Sequence, residues 1–138
     1  MNIPFLDLRT QYLELKNEID ASVARVLDSG WYIMGREVEQ FEAAFRDYLT
    51  GGEEGYVIGV NSGTDALKLA LLAAGVGPGD EVVTVPNTAI PTVTAICSTG
   101  AVPVFCDVHP KSWLMDMARL EACLTKRTRA IIPVHLYG

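Results

Sequence analysis

Residues 56–85 read YVIGVNSGTDALKLALLAAGVGPGDEVVTV, and this stretch decides the fold. The apolar run YVIGV (56–60) predicts a strand, and the nearly polar-free segment 63–74 predicts a helix. GVGPGD supplies turn residues, and EVVTV (81–85) predicts a second strand. Two β-rich runs joined by one helix demand a crossover connection, which is right-handed and makes the strands parallel. The same rhythm continues downstream. VPVFC (102–106) and AIIPV (130–134) are further strand-like runs, with helical lengths at 88–99 and 116–125 between the strands. These strands are apolar almost throughout, as strands covered on both faces are. The expected fold is therefore α/β, a parallel-rich sheet flanked by helices.

Upstream the period changes. Tyr12, Leu15, Ile19, Val23 and Val26 recur at spacings of three and four, predicting a helix over 10–29 that Gly30 stops. A second amphipathic helix carries Val38, Phe41, Phe45 and Leu49 on one face. TGGEEG (50–55) ends it, so the chain is expected to comprise an amino-terminal helical segment and interface loop over 1–50 and an α/β part over 51–138. The last strand-like run passes straight into HLYG with no closing helix. This second part is expected to be incomplete and truncated at its carboxyl end.

Of the 138 residues, 49% are hydrophobic, and 17 acidic against 11 basic side chains give a formal charge of −6. That balance argues against nucleic acid or an anionic membrane as partner, and no uncharged apolar run reaches the length of a membrane span. Cys97, Cys106 and Cys123 are odd in number, lack C-x-x-C spacing and sit in apolar surroundings. They read as reduced thiols in a reducing compartment, and the expected location is cytoplasmic. MNIPFLDLRT has neither the basic nor the apolar region of a signal peptide. His109 and His135 have no ligand-like spacing, so no metal site is expected.

The junction at 61–65, NSGTD, admits two readings. Ser62 or Asn61 caps a helix, with the Asp65 charge in its first turn. Alternatively, the unpaired amides of Thr64, Asp65 and Ala66 at the helix start, with the Thr64 hydroxyl and a turn allowed by Gly63, seat a phosphate. Spacing leaves both open. The stretch is neither a Walker loop nor G-x-G-x-x-G, which disfavours a nucleotide-binding dehydrogenase. In PNTAIPTVT, Thr88 reads as a helix cap with Pro91 tolerated in the first turn. GWYIMG places Trp31, Tyr32 and Ile33 in a structured loop between two glycines. Asp107 and His135 follow predicted strands, at the carboxyl edge where α/β sheets gather ligands.

Taken in order, FLDLRTQYLELKNEI, SGWYIMGREVEQFEAAF, NSGTDALKLAL, GVGPGDEVVTVPNTAIPTVTAI, GAVPVFCDV and IIPVHLYG resemble the amino-terminal part of the DegT/DnrJ/EryC1/StrS family of pyridoxal-phosphate-dependent sugar aminotransferases. The resemblance implies the large domain of the aspartate-aminotransferase-like (type I) fold. It implies a homodimer, pyridoxal 5'-phosphate as cofactor, a nucleotide-linked keto sugar as amino acceptor and an amino acid, commonly glutamate, as donor. On the same basis Ser62, Gly63, Thr64 and Asp65 would shape the cofactor-phosphate turn. Thr88 and Ala89 would lie beside the ring, where many relatives carry an aromatic residue, and His135 would frame the cavity. Trp31, Tyr32 and Ile33 would lie near the substrate mouth and subunit interface.

Transamination needs a lysine amine and, as a rule, a carboxylate facing the pyridine nitrogen. The resemblance places both after residue 138, so no catalytic residue is expected within the chain and the fragment alone is expected to be inactive. Lys68 would sit on the solvent side of the 63–74 helix, and Lys16, Lys111 and Lys126 in amphipathic or loop settings. Two other readings remain: a non-catalytic phosphate-binding or regulatory module, and a family-related sugar dehydratase.

Overall fold

The computed structural model describes residues 4–137, and the chain divides into two compact units, one running through Gly59 and one from Val60 onward. The first holds α1 (Leu8–Glu14), α2 (Lys16–Ser29) and α3 (Arg36–Thr50). Asp7 starts α1, its carboxylate accepting the Thr10 amide at 3.0 Å and the Thr10 hydroxyl at 2.7 Å. Those bonds hold the Asp7 carboxyl below its ordinary range.

The single helix expected over 10–29 is instead two. Leu15 leaves helical geometry (φ −103°, ψ 10°), closing α1 and opening α2. A polar brace spans the break: the Tyr12 hydroxyl donates to Asp20 at 2.9 Å, and the Lys16 ammonium reaches both. Gly30 ends α2 as expected, at φ 65°, a left-handed conformation in which its amide closes back on the Leu27 carbonyl. None of the three helices buries a residue. The apolar face of α3 is lined by the Phe41 and Phe45 rings, stacked at 5.5 Å.

The second unit runs α4 (Gly63–Ala73), β1 (Glu81–Thr84), α5 (Ile90–Ser98), β2 (Val102–Phe105), α6 (Met117–Cys123) and β3 (Thr128–Ile131). The strands form one sheet in the order β2-β1-β3, with β1 parallel to both neighbours. Three of the four expected strands are therefore present, and their direction is the expected one.

Residues 56–60 are the exception. They join no strand among the described residues; the Gly59 amide donates to the Glu42 carboxylate of α3 at 2.6 Å. Tyr56 and Ile58 stand 94% and 79% exposed. A strand exists by its ladder, and among the described residues this apolar run pairs with none.

β3 begins two residues before the expected run because its approach is anchored. Glu81, buried at the start of β1, accepts the Thr125 hydroxyl and, at 2.9 Å, the Arg127 Nε–H. The pairing between β1 and β3 then shifts by one residue after Glu81.

Alternation along β1 divides the core. Val82 packs with Leu71 of α4, Val76, Ile96 of α5 and Ala101 on one face. Val83 and Val85 pack with Cys106, Met115, Leu120 and Cys123 on the other. The sheet is thus sandwiched between α4 and α5 on one side and α6 on the other. Thr84 is buried and satisfied, its hydroxyl donating to the Ile132 carbonyl at 3.1 Å.

Candidate functional site

α4 leads into β1 and α5 leads out of it, so the short connection 74–80 reverses the chain before the strand. Both helices consequently start at the edge where the parallel strands end. Residues 62–65 and 88–89, with the segment leading to His135, belong to that edge. This is where an α/β sheet offers a ligand its loops and helix starts.

Ser62 is the N-cap of α4. Its hydroxyl oxygen accepts the Asp65 amide at 3.1 Å and donates to the Asp65 carboxylate at 2.9 Å, while its carbonyl accepts the Ala66 amide at 3.0 Å. The capping reading of this junction is therefore correct, and it corrects the expected set of free donors. Asp65 and Ala66 are satisfied. The amides of Gly63 and Thr64 and the Thr64 hydroxyl have no partner among the described residues.

Gly63 also departs from expectation. It is the first residue of α4 and does not adopt a positive φ, and a Cβ built on it meets nothing within 4 Å. The turn does not require glycine. A side chain at Gly63 would instead stand in open space, beside two unpaired N–H groups at the positive end of a helix. A phosphate fits such a place by charge and by donor count.

Thr88 is not the cap of α5. That position belongs to Ala89 (φ −67°, ψ 142°), which offers no side-chain bond, with Pro91 in the first turn as expected. The Thr88 hydroxyl is instead 2.8 Å from the hydroxyl of buried Thr92, one turn into α5. Thr92 escaped the sequence reading, although its i, i+4 spacing from Thr88 carries the signal. Ala89 is exposed and presents no aromatic surface.

His135 lies past the end of β3, exposed, with no hydrogen bond among the described residues. Asp107 is drawn into local structure, accepting the Val108 amide at 2.8 Å and facing Arg119 Nη1 at 3.3 Å. Lys68 is half-buried on α4 rather than fully solvent-facing. No group of three metal-ligating side chains occurs among the described residues.

Trp31, Tyr32 and Ile33 belong to the first unit, between α2 and α3, and are 60%, 65% and 78% exposed. Met34 beside them takes a positive φ of 49°, an uncommon conformation for a long side chain. Trp31 and Tyr32 line an open cleft of about 620 Å³ with Arg25, Ser29, Arg36 and Glu37.

Residues 13–138 match the DegT/DnrJ/EryC1/StrS aminotransferase family. A dTDP-3-amino-3,4,6-trideoxy-alpha-D-glucose transaminase of Streptomyces venezuelae is 50% identical over 99% of this chain, which spans 35% of that protein. The crystal structure of S. venezuelae DesV superposes with a TM-score of 0.91 at 50% identity, over 99% of this chain and 36% of that one. That of Bacillus subtilis NtdA, with bound cofactor PMP, gives 0.88 at 36% identity, over 99% and 31%. The chain thus spans about a third of the length of the relatives it matches. The α/β unit with its parallel sheet is part of the type I fold of pyridoxal-phosphate-dependent aminotransferases. By sequence and by fold alike, the chain belongs to the DegT/DnrJ/EryC1/StrS aminotransferase family.

Proposed function

We propose that this chain is the amino-terminal third of a homodimeric aminotransferase that binds pyridoxal 5'-phosphate. The intact protein would move an amino group from an amino acid, glutamate by preference, to a keto carbon of a nucleotide-linked sugar. The observation that carries this reading is the pair of unpaired Gly63 and Thr64 amides facing open space at the start of α4, in a chain whose family is established.

When bound, the cofactor supplies an electron sink that lets nitrogen leave one carbon and join another. The residues of this chain would bind and orient it. The Gly63 and Thr64 amides and the Thr64 hydroxyl would donate to its phosphate, favoured by the α4 dipole. Ser62 engages the Asp65 carboxylate, holding that negative charge within the capped turn. The Thr88–Thr92 hydroxyl pair fixes the loop leading from β1 into α5. Ala89 leaves room at the ring rather than stacking on it, and His135 would frame the opening.

Proton transfer and covalent attachment need an amine, a role we give to none of the lysines among the described residues. Lys68 lies along α4, and Lys16 is engaged by Asp20 and Tyr12. We assign the attaching lysine and the carboxylate opposite the ring nitrogen to residues beyond 138, so the 138-residue chain would not transaminate on its own.

The test has two arms. In the first, purified protein is titrated with pyridoxal phosphate and with pyridoxal; a clear preference for the phosphorylated form is expected, and equal affinity would remove the phosphate site. In the second, the intact protein is incubated with isotopically labelled glutamate and nucleotide-linked keto sugars. Label in an amino-sugar product supports the reading, and loss of water without label would make the protein a dehydratase.

A further inference from the structure

Two of the three cysteines share one side of the sheet. Cys106, directly after β2, is fully buried between the sheet and α6, and half-buried Cys123, the last residue of α6, packs in the same cluster. The Cys123 sulfur lies 3.7 Å from the Phe105 carbonyl oxygen. That oxygen belongs to the peptide unit that carries the Cys106 amide, so the Cys123 sulfur is one peptide unit from the Cys106 backbone. Cys106 donates to the Asp116 carbonyl at 3.5 Å and Cys123 to the Arg119 carbonyl at 3.5 Å. Neither is fixed by a charged partner. Cys97, by contrast, is exposed on α5 and lies in neither core cluster.

We propose that Cys106 and Cys123 form an oxidisable dithiol, a modification site at which hydrogen peroxide closes a disulfide between the end of β2 and the end of α6. Burial pushes the Cys106 thiol up, and Cys123 beside it adds to the shift. The more accessible Cys123 is therefore the sulfur that meets the oxidant. Its thiolate attacks one peroxide oxygen and the O–O bond breaks. The departing oxygen takes up the thiol proton and leaves as water, and Cys123 is left as a sulfenic acid. The Cys106 sulfur then attacks the Cys123 sulfur, the S–O bond breaks, and a second water carries off the Cys106 proton. Two thiols and one hydrogen peroxide become one disulfide and two waters.

The bridge would enclose residues 107–122, which contain Asp107, the Val108–Met115 bridge and most of α6. That segment continues from the carboxyl end of β2, so oxidation would tie down one rim of the sheet edge without touching α4. Neither side chain is needed for the phosphate reading.

The experiment uses the full chain in a Cys97→Ser background, treated with hydrogen peroxide at mildly alkaline pH and digested without reductant. The expected result is a cross-linked Cys106–Cys123 peptide lighter by two hydrogen atoms. It should be reversed by dithiothreitol and accompanied by a raised melting temperature. In Cys123→Ala the Cys106 thiol should remain titratable after unfolding. Cys106→Ala, a small apolar replacement whose folding is checked by circular dichroism, should leave Cys123 to proceed to sulfinic acid. Accumulation of Cys123 sulfinic acid in the parent background without the linked peptide, or two thiols surviving peroxide unchanged, would overturn the proposal.

Discussion

Ser62 serves α4 twice, accepting the Asp65 amide at its side chain and the Ala66 amide at its carbonyl. Ser62→Ala should therefore destabilise the α/β unit by about 0.5–2 kcal/mol in a urea melt, the ordinary worth of an N-cap. Gly63→Val should leave stability nearly unchanged, because its side chain enters open space. The location of this site was legible in the sequence: NSGTD between a strand-like run and an apolar helix marks a helix start by its residue types alone. Which donors stay free was not. That depends on Ser62, rather than Asn61, folding back on Asp65, and on the dihedral angles of Gly63. Thr88 shows the same limit, since its hydroxyl could serve the α5 amides or Thr92 equally well by spacing.

At the scale of elements, parallel strands and crossover helices were written in the periodicity, but pairing was not. Residues 56–60 have the composition of a strand and lack a neighbour, whereas β3 starts early because Glu81 anchors the approach to it. Thr125 and Arg127 hold the Glu81 carboxyl below its ordinary range. A depressed carboxyl adds stability above its unfolded pKa, near 4.3, and loses it as pH falls through the lower folded value. Glu81→Gln should flatten the acid limb of a stability-against-pH curve below about pH 4. An unchanged acid limb would show that the anchor does not bear on folding. Packing allows a sharper contrast. Ile96 is fully buried between sheet and helix while Leu69 is 50% exposed. Ile96→Ala should cost about 2–5 kcal/mol, and Leu69→Ala much less, by denaturant titration.

For the molecule as a whole, the amino-terminal unit carries amphipathic helices that bury none of their own residues, with Phe41 59% and Phe45 39% exposed. Apolar surface of this kind calls for a cover, and under the proposed reading a second copy supplies it. Sedimentation of the intact protein should show a dimer, and Phe41→Ser with Phe45→Ser should shift it toward monomer while the circular dichroism of the α/β unit is retained. A wild-type monomer at all concentrations would set the dimer aside. That the start of α4 seats a cofactor phosphate is open to direct measurement, through pyridoxal phosphate dissociation from the intact protein, read by absorbance. Wild type is compared with Gly63→Val and Thr64→Val, each paired with a thermal melt. Native melting is expected for both variants, with a loss of about 1.5–3 kcal/mol of binding for Thr64→Val and a larger loss for Gly63→Val, whose side chain would occupy the open space beside the two donors. Wild-type affinity in both folded variants would contradict the phosphate seat and leave this junction as a helix cap alone.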